Sequence, residues 1–433
     1  MGGFYFYNAI FVIKTKLNFK SLNIKTFKNL SIYSLGQFVN IISPLLITPY
    51  LISVCGLEKF GIVSIGQSLA FILIVIVDYS SYIKGVKDIS INRNNKGMLQ
   101  EILTTIFFSK FILLLLVILI CYLMIYFIPF FWDEKKAFFF SIAIVVGQFL
   151  NPTWFFQGIE NFKWITLINI FSKVIYILGV LIFVNSPENY YLVNFFFGFG
   201  LGFSGLIALL SNRSIIKFNH KDLNINRVKK YLESDFSFCI SQLFLATRNY
   251  SSVIIIGFIS GDLTAGQFKV IEQITNFFRT YLQMFFKFSL SYVCFEIDKS
   301  IRQGIVLWKK YNLINLLVLT IMLMMVFLFS EEVLLFFKVK SDIILMSLYL
   351  KTALLIPFLI GITLPLEQLL FSLDMNKEYV KTTLFITLFN TILLVIVLTF
   401  SGLYNVFLAL IFVEICLLVI YWILLKNYLK IKQ

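Results

Sequence analysis

The stretch GDLTAGQFKVIEQITNFFRTYLQMFFK, Gly261 to Lys287, carries the fold in two ways. It opens on a turn bounded by glycines, Gly261-Asp-Leu-Thr-Ala-Gly266, and runs on as an apolar helix with one polar stripe. The stripe is Lys269, Glu272, Asn276, Arg279, Gln283 and Lys287, spaced by three or four residues. At roughly 100° per residue these side chains fall within an arc of about 80°. A charge at the centre of a membrane helix costs on the order of 2.5–3.5 kcal/mol even on the mildest scale, so such a line needs water or an ionic partner. The stripe therefore predicts a face along a hydrated path for a polar cargo. The competing reading pairs Glu272 with Lys269 or Arg279 and packs the rest against polar groups elsewhere.

The turn has a counterpart. Gly56-Leu-Glu-Lys-Phe-Gly61 lies 205 residues earlier, the offset that also relates Gln37 to Gln242. Each pattern is a glycine, an acid within two residues, and a glycine opening the next helix. A parallel internal repeat predicts two similar halves, an arrangement typical of transporters with a site between them.

Composition agrees. Of 433 residues, 59% are hydrophobic and 14% charged, and mean hydropathy is +0.90. A soluble domain is nearer half apolar and a quarter charged. The chain reads as an all-α integral membrane protein. A span needs about 20 apolar residues. Twelve stretches qualify: 29–54, 61–83, 103–128, 137–156, 164–184, 191–211, 236–259, 264–290, 306–330, 343–372, 379–400 and 403–425. The organisation expected is a cytoplasmic or interfacial lead (1–28), an N-terminal six-helix bundle (29–211), a linker (212–235), a C-terminal six-helix bundle (236–425) and a tail (426–433).

The net charge of +15 does not indicate nucleic acid. With the N-terminus inside, 25 Lys and Arg fall in inner segments and five in outer loops, and the remaining seven lie within spans. That asymmetry predicts both termini in the cytoplasm. The five cysteines are scattered without metal-ligand spacing, and His220 stands in a basic loop. Neither suggests a metal, cofactor or catalytic site. No phosphate-binding loop motif is present, so direct use of ATP is not expected.

Polar groups within spans nominate the rest of the site. Arg248 lies twelve residues into its span, roughly 18 Å deep. Arginine's planar fork suits phosphate oxygens, so Arg248 and Arg279 are candidates for a two-arginine phosphate site. An interhelical ion pair is the other reading of Arg248. Gln37 and Asn40 share a face of the first span with Pro44 and Thr48. Asp78 ends the second span. Pro357 and Pro365 bracket Gly361, with Glu367 beyond, which suggests a hinge helix. Asp78, Glu272 and Glu367 are the candidate acids for ion coupling.

Three segments carry a resemblance. They are Ser34-Leu-Gly-Gln-Phe-Val-Asn40 running through Leu45-Leu-Ile-Thr-Pro-Tyr50 to Gly61, Trp154-Phe-Phe-Gln-Gly-Ile-Glu160, and Arg248-Asn-Tyr with Ile254-Ile-Ile-Gly257. Together they resemble the O-antigen flippase family of polysaccharide exporters, in the multidrug/oligosaccharidyl-lipid/polysaccharide transporter superfamily with its MATE-like fold. Members often have a basic residue after the second-span acid; here the sequence is Asp78-Tyr-Ser-Ser-Tyr-Ile-Lys84. The resemblance implies a non-enzymatic flippase of the bacterial inner membrane. Its cargo would be an undecaprenyl-diphosphate-linked oligosaccharide for O-antigen or capsule, moved by alternating access and ion antiport. A polysaccharide polymerase and a chain-length regulator are the implied partners. Two rivals stand beside it. A MATE-type multidrug antiporter of cationic drugs would favour an acidic cavity. A membrane polymerase or glycosyltransferase would need a larger outer loop for its catalytic groups.

Overall fold

The computed structural model describes residues 24–212, 224–340 and 342–432. Most of the lead and residues 213–223 of the linker, including His220, lie outside these residues, as do the side chains of Gln37 and Lys287. The described chain is helical, with no strand among the described residues. Its long helices are α1 (Ile24–Asp78), α2 (Lys96–Phe127), α3 (Lys135–Phe149), α4 (Phe162–Phe183), α5 (Leu192–Ser211), α6 (Ile225–Ser260), α7 (Asp262–Lys299), α8 (Ile301–Leu328), α9 (Ile343–Ala353), α10 (Leu355–Ser372), α11 (Asn376–Phe400) and α12 (Leu403–Lys432).

Ten stretches among the described residues are long and apolar enough to cross a membrane. α1 holds two of the spans read from the sequence, joined at Gly56. α7, the helix of the stripe, is not among the ten. Counting both halves of α1 and adding α7 brings the number to about twelve. Apolar side chains face outward where a soluble protein would be polar; on α8 these include Leu313, Leu317, Ile321 and Leu328. A surface of that kind suits lipid.

The two matching turns are built alike. Gly56 has φ 81° and ψ 168°, and Gly261 has φ 86° and ψ 169°. A Cβ at either position would meet nothing within 4 Å. Backbone conformation alone therefore selects glycine there. The repeat visible in the sequence is a repeat of dihedral angles.

The chain forms two compact units. In the first, comprising residues up to Ile47 and Ser53–Ile254, α5 packs against both α3 and α4. Its glycines make this possible: a Cβ at Gly198 would collide with the backbone of Ala143, and one at Gly200 with the carbonyl of Ser172. Small residues at membrane helix contacts allow such close approach. Trp154, Phe155 and Phe156 are fully buried in the core of this unit beside Ile89, Leu103 and Ile106. α6 belongs here as far as Ile254, although its span was grouped by sequence with the second half. The physical reason is its start, where Tyr79 Oη donates to the Leu232 carbonyl and Ser80 Oγ donates to Asp235.

The second unit, Thr48–Ile52 with Ile255 onward, joins α7, α8, α10 and α12. Val293, Leu370, Ile386 and Tyr421 form its core. Pro365 lies inside α10. Its carbonyl accepts a hydrogen bond from Trp308 Nε1 at 3.1 Å. Gln368 Nε2 donates to Ser289 Oγ at 2.8 Å. The predicted hinge helix is thus tied by side chains to both α7 and α8.

Candidate functional site

In the first unit a buried ion pair anchors a chain of polar groups. Asp78 caps the apolar run of α1, and Lys110 stands inside α2. Their Oδ1 and Nζ atoms are 2.8 Å apart, and the lysine side chain has 0% exposure. Burying one charge without the other is costly, so the pair fixes α2 against the end of α1. Gln148 of α3 donates through Nε2 to Asp78 Oδ2 at 2.8 Å and to Tyr82 Oη at 2.9 Å. Tyr82 and Thr153 hydroxyls are 2.7 Å apart. Four helices, one of them short, and a π-helical turn thus share one network.

Local sequence explains the placement. After Asp78 the backbone turns at Tyr79, whose φ is +52°, and Ser81–Gly85 form a π-helical turn. Such turns re-aim side chains, here Tyr82. α3 ends before Asn151-Pro152, where proline cannot continue the helix. Asn151 Oδ1 accepts the Thr153 N–H at 3.1 Å, and a short helix, Thr153–Gly158, follows. The buried aromatic run 154–156 holds that helix, leaving Gln157 exposed.

These groups border a cavity of about 350 Å³ within the first unit. Its polar lining is Asn40, Tyr82, Gln148, Asn151, Thr153, Gln157 and Asn169, and its apolar lining includes Phe71 and Phe197. Among the described residues no formally charged side chain lines it. Lys173 Nζ lies 3.9 Å from the ring centroid of Phe197. A cation on an aromatic face is held by the ring quadrupole.

The second unit carries the stripe of α7. Lys269 Nζ and Glu272 Oε2 are 2.7 Å apart, one turn from each other. Two members of the stripe therefore satisfy one another along their own helix. Asn276 and Arg279 are half-buried, and Gln283 is exposed. Arg248 is half-buried on the part of α6 that belongs to the first unit. Glu367, on α10, is half-buried beside Gln368.

Of the three candidate acids, Asp78 and Glu272 each have a lysine partner. Among the described side chains, Asn40 is the candidate that joins the cavity. The sequence reading passed over Lys110, Gln148, Asn151 and Asn169. Lys110 had a signal, being one of the seven basic residues inside spans. Gln157 had another, lying within the aromatic segment 154–160. Among the described residues no three His, Cys, Asp or Glu side chains gather as a metal set.

Comparison with known proteins places this geometry. A family described as polysaccharide biosynthesis protein matches residues 26–295. A candidate O-antigen transporter of Escherichia coli (strain K12) is 26% identical over 249 residues, covering 58% of this chain. The chain spans 60% of that relative's length. Among solved structures, the lipid II flippase MurJ in an inward closed conformation aligns with TM-score 0.70 at 14% identity, over 91% of this chain and 87% of that one. An inward-facing multidrug resistance transporter of the MATE family, MOP superfamily, aligns with TM-score 0.64 at 12% identity, over 93% of this chain and 97% of that one. At such identities the likeness is one of fold, and the fold is MATE-like. Because the family match extends over 270 of the 433 residues, the chain belongs to the polysaccharide biosynthesis protein family.

Proposed function

We propose that this protein is a flippase for lipid-linked oligosaccharide. It translocates undecaprenyl-diphosphate-linked repeat units across the bacterial inner membrane for surface polysaccharide synthesis. The two six-helix bundles alternate access, both termini lie in the cytoplasm, and ion antiport drives the cycle through Asp78, Glu272 or Glu367. Family membership, the name of the Escherichia coli relative and the MurJ-like fold support this reading.

The observation that carries it is Arg279. It stands in mid-helix on α7, half-buried, with Asn276 and Gln283 on the same face. The stripe holds three cations, Lys269, Arg279 and Lys287, and one acid, Glu272, so its formal charge is positive. An anionic diphosphate suits such a face, and a cationic drug does not. In this reading Arg248, Lys269, Arg279 and Lys287 meet the diphosphate, while Asn276, Gln283, Gln37 and Asn40 meet sugar. A polymerase and a chain-length regulator act downstream.

The test is complementation of glycan export. Arg279→Ala and Arg248→Ala are each expected to lower export by about tenfold or more, the loss of a charge-assisted contact of roughly 1.5–3 kcal/mol. Membrane insertion should be unchanged. Wild-type export by both correctly inserted variants would remove the diphosphate role.

A further inference from the structure

The cavity of the first unit is the wrong kind of site for a diphosphate. Among the described residues its lining holds no cation: Lys110 is committed to Asp78 at 2.8 Å, and Lys173 lies against the ring of Phe197. What it does hold is carboxamides: Asn40, Gln148, Asn151, Gln157 and Asn169. Each carboxamide offers a donor and an acceptor on one planar group. A sugar hydroxyl also donates and accepts, so a ring of carboxamides matches a pyranose in a way that fixed charges do not. Gln148 and Asn151 are held by the network, whereas the side chains of Asn40, Gln157 and Asn169 make no hydrogen bond among the described residues. Phe71 and Phe197 supply apolar surface for the C–H faces of the ring. A volume of about 350 Å³ lies at the lower end of small-ligand sites, which span roughly 300–1,000 Å³.

We propose that this cavity is a recognition subsite for an uncharged sugar ring of the cargo, chemically separate from the cationic face of α7. The subsite rests on the reading of the protein as a glycan flippase. Its uncharged lining selects neutral hexoses and N-acetylhexosamines over uronic acids. A buried carboxylate among these groups would sit near Asp78 with its countercharge already taken.

Saturation-transfer NMR on the full chain in nanodiscs tests this with three probes: neutral hexoses and N-acetylhexosamines, their uronic-acid counterparts, and inorganic pyrophosphate. Wild-type protein should transfer saturation to at least one neutral sugar and weakly or not at all to the uronic acids. Gln157→Ala and Asn169→Ala should each weaken the neutral sugar by about fivefold, the loss of one hydrogen bond, and leave pyrophosphate unchanged. Asn169→Gln should restore part of the signal. Arg279→Ala should do the reverse, losing pyrophosphate and keeping the sugar. Thermal melts identify any variant that has lost its fold, and Gln157, exposed on its short helix, is the safer of the two positions. Pyrophosphate binding with no neutral-sugar signal, or a sugar signal untouched in folded Gln157→Ala and Asn169→Ala, overturns the subsite and leaves the flippase reading standing. Failure of the wild-type gene to complement glycan export overturns both.

Discussion

Two ion pairs, one in each unit, neutralise charge in different ways. In the first, Asp78 and Lys110 come from different helices and meet in the interior, with Gln148 of a third helix on the other carboxylate oxygen. In the second, Lys269 and Glu272 meet along a single helix, both partly buried. A pair between helices holds tertiary structure together and gives a polar cavity its wall. A pair within a helix holds only its own turn and leaves the charge on that helix's face. The Asp78–Lys110 pair serves as architecture, and the Lys269–Glu272 pair as part of a helix face.

The sharpest way to break this contrast is Lys110→Met. It leaves Asp78 buried without its partner, and a loss of about 3–5 kcal/mol is expected. Thermal unfolding in detergent reads this, and Lys110→Met with Asp78→Leu should recover most of it. A single variant as stable as wild type would mean that the pair holds nothing together. Next comes packing. Gly198→Ala forces a Cβ into the backbone of Ala143, whereas Gly361→Ala meets the Leu319 side chain, which can turn away. We expect the first to cost about 1–3 kcal/mol and the second clearly less. Equal melting shifts would erase this difference between the two glycines. The smallest effect on stability is Glu272→Gln, below about 1 kcal/mol for a pair one turn apart. If Glu272 couples ions, the same variant should still lose export, and that dissociation of stability from transport would sharpen the contrast.

The fold was legible because its rules are one-dimensional. Apolar runs, basic loops and the 205-residue offset all lie along the chain, and the twin glycines at Gly56 and Gly261 share one backbone conformation. The α7 stripe was legible for the same reason, as one helix read at its own period. The cavity was not, because Asn40, Tyr82, Gln148, Gln157 and Asn169 come from four helices and a π-helical turn. No spacing within any one helix announces them. Lys110 and Asp78 show the same difficulty in miniature: 32 residues separate them, and each alone is one charge near or inside a span.

The bond between Trp308 and the Pro365 carbonyl gives the protein an optical gauge. Indole emission depends on what its N–H meets, and here it meets the carbonyl of a proline inside a helix. If α10 flexes at Pro365 during turnover, that bond changes and the emission of Trp308 shifts with it. A chain retaining Trp308 alone of its five tryptophans would report hinge motion without any added label.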